Sequence, residues 1–484
     1  MGDVADSALR PEEAQRLLFR FGFICFSATD SDRIDKNLPV VCRSWPRIHV
    51  GKFVIYRHPE ARLIHRSQQD RHTILVGDAF VVGEGDPLVL VADAVGDELL
   101  DLLDRLSGRF ALIIIDGGQG KVFHDPFGAR TIFYTGNNTF GIASHSHLLA
   151  SAFGLKVNTD TPLTRGQSLP GDVTIFPNIY ALPPNHCYDI GMQKVVRYWP
   201  RKPRQKTTFD EFFSVLDSYL KALVEFVRRS RRPVLSLTGG VDSRTIVSAF
   251  RRYCGTEFST FTSTNFHFEP WEASPVAEVN RYLGVPHIEV DERSDNVVNE
   301  AALIAMRNLG RYKTKRAPFI ANLWQLYGSS PRAIWVTGVG GEAIRGFYNL
   351  KENPMKDLST EEMARVYVEG GMSGEYAIDR DLEGAVISAF DGFRERAGYD
   401  KFDNDTFDVN DIFYWEHRLG MSFGSGLNEI DVALPGLFGF NSRMVCQVAY
   451  GLSDDERLSK LLFVEVMRRY DPYIAEVAFW PTSN

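Results

Sequence analysis

Over the first two hundred residues, apolar and polar positions alternate in short runs: "FGFICFSA", "FVIYR", "HTILVGDAFVV", "FALIIID", "GKVFHDP", "TIFYT" and "FGIAS". Each run has strand length and is set off by Gly, Asn and Asp turn signals, so the pattern predicts an antiparallel, layered β-rich domain. Val95, Leu99, Leu102, Leu103 and Leu106 recur at helical spacing among these runs and add at least one helix. Near residue 200 the pattern changes. "YWPRKPRQKTT" is proline-rich and basic, and Thr208 is placed to cap an amphipathic helix from about Phe209 to Arg229. We therefore divide the chain into residues 1–205 and 206–484.

In the second part, strand-like and helix-like segments take turns: "PVLSLTGG", a helix from Arg244, "EFSTFTST", a helix through "EASPVAEVNRYLG", "HIEV", a helix through "NEAALIAMRNLG", and "AIWVTGVGG". Such alternation predicts a parallel sheet wrapped by helices. Beyond Leu358 the apolar seams of "EEMARVYVEGG", "LEGAVISAFDGFRERA" and "RLSKLLFVEVMRRY" read helical throughout.

Composition narrows the function classes. With 44% hydrophobic and 24% charged residues the chain is an ordinary folded protein rather than a disordered one. A formal charge of −8 argues against a dedicated nucleic-acid binder, and the basic run Arg201-Lys202-Pro203-Arg204-Gln205-Lys206 reads as a solvated linker. Five scattered cysteines without a CxxC pair fit free thiols in a reducing compartment. No apolar run approaches the roughly 18 residues that a membrane span needs. The acidic N-terminus is unlike a signal peptide, so the cytoplasm is the expected location.

The candidate chemistry lies at the first strand–turn–helix junction of the second part, Leu237-Thr238-Gly239-Gly240-Val241-Asp242-Ser243. Glycines let backbone N–H groups approach an anion, and the helix behind them adds the positive end of its dipole. Ser243 can donate to a phosphate. Asp242 beside an anion calls for a cation, and Mg²⁺ is the natural partner. No GK[ST] follows the glycines, so this is not a Walker A loop.

"LTGGVDS" resembles the SGGxDS pyrophosphate loop of N-type ATP pyrophosphatases, with Thr238 replacing the first serine. Elsewhere "LSGRFALIIID", "HDPFGARTIFYT", "FGIASHSHLLA" and "LPPNHCYDI" are similar to the G-x-F-A, D-x-x-G-x-R-x-L-Y-Y, F-A-S-E and L-P-P-G-H patterns of the asparagine synthetase family, and "VTGVGGEAIRGFY" to its G-x-G-[AG]-D-E-[LI]-F-G-G-Y segment. The resemblance implies an α/β protein. Its N-terminal domain would be an Ntn-hydrolase-like antiparallel β-sandwich, followed by an adenine nucleotide alpha hydrolase-like parallel-sheet domain with a helical C-terminal part. It further implies ATP and Mg²⁺, with Asp242 and Glu342 as metal ligands. The nucleotide would meet Leu237, Thr238, Gly239, Gly240, Asp242, Ser243, Thr262, Ser263, Gly340 and Gly341.

The chain departs from the family pattern in several places. Residue 2 is Gly where glutamine-dependent members have the nucleophilic cysteine, and Cys25 inside "FGFICFSA" reads as a packed core thiol, so glutamine hydrolysis is expected to be lost. That loss resembles the β-lactam synthetases and lasso-peptide cyclases, which adenylate a carboxylate and let an amine of the substrate attack it. Val339 stands where amidotransferases have glutamate and β-lactam synthetases tyrosine. Lys460 matches the first of two family lysines, with an exposed helix lysine as the plainer reading. The second has no counterpart in "FWPTSN". Arg244, or the basic turn Arg311 to Pro318, is the candidate replacement charge, and Lys460 and Arg244 are the candidate catalytic cations. Glu272 matches a family carboxylate and also reads as a helix-start acid. Glu416, Arg418, Glu429, Asp431 and Arg443 crowd charge into an apolar stretch, either as a structural network or facing a substrate.

The expected activity is an AMP-forming carbon–nitrogen ligase joining a small-molecule or peptide carboxylate to an amine from a source other than glutamine. The alternatives are ammonia-dependent amidation and a nucleotide-binding homologue without chemistry. Neither nucleic acid nor membrane is an expected partner, and a homodimer is compatible with the chain.

Overall fold

The computed structural model describes residues 11–136, 139–166, 168–264, 270–291, 300–314, 316–328, 330, 332–370, 380–402, 406–459 and 461–477. Lys460 and the terminal "FWPTSN" lie outside them.

Two six-stranded sheets form the first half, and their strand pairings are antiparallel. The period-2 geometry of a strand explains how they stack. Along Leu106–Asp116, Ala111, Ile113 and Ile115 enter the core between the sheets, while Phe110, Leu112 and Ile114 face outward into a second core shared with helices. Phe23 and Cys25 likewise point between the sheets, and Ile24 and Phe26 point outward. With helices on both outer faces, this is the layered sandwich that the alternation predicts. Cys25 is fully buried opposite Ile55 and Ile142, and burial pushes its thiol pKa up. Strands such as Arg47–Val50 and Lys194–Arg197 go beyond those expected, because their exposed edges carry too few apolar residues to alternate visibly.

An irregular stretch through the basic run leads into the helix Phe209–Ser230. Thr208 Oγ1 accepts from Glu211 N while Glu211 Oε2 accepts from Thr208 N, a reciprocal capping box that fixes the helix start. This helix packs against the sandwich, with Phe80 stacked on Phe226 at 5.0 Å between ring centroids.

The second half is a five-stranded parallel sheet in the order His287–Asp291, Ser259–Thr264, Arg232–Ser236, Ala333–Thr337, Gly436–Phe438. Four of these strands match the expected ones. The fifth, Gly436–Phe438, interrupts a region expected to be helical: it is three residues long, and its strand character comes from pairing with Trp335–Thr337. The helix after the glycines begins at Val241 rather than Arg244, which puts Asp242 and Ser243 in its first turn. A further helix, Ala317–Tyr327, follows the basic turn with Pro318 in its first turn. Among the described residues no helix is long and apolar enough to cross a membrane.

Candidate active site

The chain leaves the central strand Arg232–Ser236 toward one sheet edge and returns on the other side at Ala333–Thr337. Helices after two such neighbouring strands diverge, so a crevice opens at their C-terminal ends. A cavity of about 280 Å³ lies there, between Ser236, Thr238 and Asp242 on one side and Thr337, Val339 and Glu342 on the other.

The loop Thr238–Ser243 is held by its own side chains. Thr238 N donates to Ser243 Oγ at 3.1 Å, the two hydroxyls are 2.8 Å apart, and Gly240 N donates to Thr238 Oγ1 at 3.2 Å. Thr238 therefore does what a serine would do there, its hydroxyl tying the loop to Ser243. Gly239 N donates to Glu272 Oε2 at 3.3 Å, so this acid rests on an amide of the loop.

Gly338 to Glu342 form the facing loop. Gly340 has φ +100°, in the region glycine tolerates, and its N–H donates to Glu342 Oε2 at 3.2 Å. A Cβ on Gly341 would come within 2.3 Å of Asp242 Oδ1, so the bare backbone is what lets the two loops meet. Asp242 and Glu342 thus border one cavity from adjacent strand ends. Burial first, and then the charge of Asp242, raise the Glu342 pKa from 4.5 to about 7. Asp242 is already matched: Arg345 grips it in a fork, Nε to Oδ1 at 3.0 Å and Nη2 to Oδ2 at 2.7 Å. Arg345 is not among the residues that the sequence motifs single out.

Part of the cavity lining is aromatic. Phe261, Phe319 and Trp335 pack with centroids 5.7 to 6.4 Å apart, and Trp335 Nε1 donates to Ser236 Oγ at 2.7 Å. Arg316, the last residue of "KTKR", also lines this cavity, so the basic turn contributes one cation to the site. Arg311 of the same turn instead donates to Ser422 O and Ser425 Oγ.

Of the residues expected at a nucleotide, Thr238, Gly240, Asp242, Ser243 and Ser263 line the cavity, as does Glu342, expected as a metal ligand. Gly239, Gly340 and Gly341 form its loops. Leu237 and Thr262 are buried behind it, where Thr262 Oγ1 donates to Leu237 O at 2.6 Å. Arg244 is not at the cavity. Two residues along a helix turn roughly 200°, so with Asp242 facing the crevice Arg244 points into the protein, where its Nη1 donates to Val477 O at 2.9 Å. Lys460 lies outside the described residues.

The charged residues of the 416–443 stretch separate cleanly. Across the two halves of the chain, Glu416 accepts from Arg197 and Asn185 and Asp431 accepts from Arg109, while Tyr399 donates to Glu416 within the second half. Arg443 donates to Asn185 Oδ1 and Tyr198 OH. Thr314 donates to Glu429, and Arg418 lies over the rings of Phe347 and Phe423, the latter a cavity residue.

The Asparagine synthase family model matches residues 216–320, a span that includes the loop Thr238–Ser243 and, in chain order, the first three strands of the parallel sheet. This stretch is asparagine synthase-like. No curated protein matches the chain. Among solved structures the chain is similar to the NH3-dependent NAD synthetase from Campylobacter jejuni at 12% identity, over 45% of this chain and 96% of that one, with a TM-score of 0.22. It is also similar to the glutamine phosphoribosylpyrophosphate amidotransferase from B. subtilis at 13% identity, over 77% and 90% of the two chains, with a TM-score of 0.25.

Proposed function

We propose that the protein is an ATP-dependent, AMP-forming amide ligase. A carboxylate oxygen of the substrate attacks the α-phosphorus of ATP, the bond to the β-phosphate oxygen breaks and pyrophosphate leaves. An amine then attacks the acyl carbonyl, forming the amide and releasing AMP. The observation that carries this reading is the meeting of the loops Thr238–Ser243 and Gly338–Glu342 at the mouth of one cavity, with two carboxylates at the point where phosphates would enter.

The aromatic wall of Phe261, Phe319 and Trp335 suits a purine face, and the amides of Gly239, Gly240 and Gly341 suit the pyrophosphate. Arg316 adds a cation on the opposite wall. Glu342 fits a divalent cation: its partly buried carboxylate lines the cavity, and burial together with the nearby Asp242 charge disfavours its ionised form, which a hard cation would stabilise. Mg²⁺ held there would offset phosphate charge. Asp242 fits a shared ion less well, because both of its oxygens already accept from Arg345.

All five cysteines are buried, Cys25 between the sheets, which supports an amine from a source other than glutamine hydrolysis by a thiol. An amine within the same substrate, closing a ring, is our preferred donor, and free ammonia comes second. A nucleotide-binding homologue without chemistry is the other reading, favoured by the apolar Val339 and by Arg345 on Asp242. Purified protein incubated with ATP, Mg²⁺, a panel of amino-carboxylates and hydroxylamine is expected to yield AMP and pyrophosphate. ADP in their place overturns the ligase reading, and nucleotide binding without turnover across the panel selects the homologue.

A further inference from the structure

Asp242 stands where a metal-bridging carboxylate is expected, and its surroundings are already filled. The Arg345 guanidinium covers both oxygens, at 3.0 and 2.7 Å. The backbone of Gly341 closes over Oδ1 so tightly that even a methyl group there would fall 2.3 Å from it. A magnesium ion needs oxygen ligands at about 2.0–2.1 Å in near-octahedral order, and the planar fork of an arginine takes up the same side of a carboxylate. The two charges are mostly buried, with side chains 14% and 18% exposed, and a close pair in that setting is held far more firmly than one in water.

Two further features mark Arg345 as a resident of the site. Its guanidinium carbon sits 5.9 Å from the Phe463 ring centroid, which braces it from the C-terminal helix Leu461–Tyr470. Its Nη1 makes no hydrogen bond among the described residues, so donors remain for a ligand oxygen. Charge counting gives the consequence. With both carboxylates ionised, Asp242, Glu342 and Arg345 together carry one net negative charge, so the protein lacks one cation here rather than two.

We propose that Arg345 is a built-in cation that takes a metal's place on Asp242. Glu342 is then the one carboxylate that meets the divalent ion arriving with the nucleotide. This rests on the ATP reading above and deepens it: the site binds nucleotide with a single tightly held divalent ion. Arg345 acts through Asp242 as a positioning residue, keeping that carboxylate turned away from the phosphates.

Mn²⁺ titrated into the full-length protein with the α,β-methylene analogue of ATP, with free Mn²⁺ counted by electron paramagnetic resonance, tests this. The wild type is expected to hold one tight Mn²⁺ per bound nucleotide. Asp242→Asn is expected to leave that count and its affinity within about threefold, because Asp242 is not a ligand, whereas Glu342→Gln weakens it by about tenfold or more. Arg345→Met frees Asp242 and is expected to add a second Mn²⁺, while Arg345→Lys keeps the count at one. Thermal melting identifies any variant that fails to fold, and Asp242→Asn carries the test if Arg345→Met does so. Two tight Mn²⁺ in the wild type, or loss of the tight ion in Asp242→Asn, overturns the proposal and leaves the ATP reading standing. No nucleotide binding by the wild type overturns both.

Discussion

Two pairs of acids in the second half of the chain, one buried and one at the cavity, follow opposite logic. Glu416 and Asp431 lie between the two halves and are saturated: Asp431 takes two bonds from Arg109 at 2.5 and 2.8 Å with Arg130 at 3.7 Å, and Glu416 takes two from Arg197 at 2.6 and 2.8 Å. Asp242 and Glu342 border a cavity, and of the two only Asp242 is bonded by Arg345 among the described residues. Acids with a full set of partners hold two domains in register. Acids left one cation short, beside open volume, are set up to receive a ligand.

Breaking the saturated pair should produce the largest effect. Asp431→Ala leaves Arg109 and Arg130 buried without their carboxylate, and removal of one partner from a buried ion pair costs about 3–5 kcal/mol. A urea denaturation midpoint that falls accordingly is the expected result. An unchanged midpoint would show that this seam contributes nothing to stability.

The cavity acids should behave in the reverse way. Glu342→Gln is expected to lower AMP formation about 100-fold, near 2.7 kcal/mol, while the melting temperature holds or rises, since a buried and under-compensated charge is removed. A drop in stability like that of Asp431→Ala would place Glu342 with the structural acids. Ser243→Ala comes next. It deletes the hydroxyl that accepts from Thr238 N and meets Thr238 Oγ1, so the loop loses its internal brace, and nucleotide affinity should fall about fivefold to tenfold with little change in folding.

Legibility in the sequence followed the distance over which each feature is determined. The cap at Thr208 and the helix behind it are local, since Thr208 and Glu211 are three residues apart, and the helix runs Phe209–Ser230. The loop Thr238–Ser243 is also local, because Thr238 and Ser243 close it between themselves. Arg345 was not legible, because its partner lies 103 residues upstream and the surrounding motif gave no reason to pair them. Arg244 shows the opposite failure, a residue next to the loop in sequence but on the far side of its helix in space. The strand Gly436–Phe438 depends on a neighbour 101 residues away, Trp335 beside Gly436, and nothing in three residues announces it.

The smallest effect is the most direct probe of the comparison, because the two kinds of acid shift in opposite directions. Glu342 is raised to about 7 by burial and then by Asp242, whereas for Glu416 burial is outweighed by Arg197 and its hydrogen bonds, and its pKa falls below the usual value. The folded protein with Glu342 binds extra proton between about pH 4.5 and 7, so that contribution to stability is full at low pH and is lost as pH rises through the window. The contribution of Glu416 is present above the ordinary carboxylate range and is lost as pH falls through its lowered value. Unfolding free energies measured without divalent ions should therefore flatten toward neutral pH in Glu342→Gln and toward acid pH in Glu416→Gln. Each change should stay under about 1.4 kcal/mol per pH unit, the limit for one proton. The same sign of change in both variants would mean that the two acids share one environment, and the distinction between seam and cavity would fail.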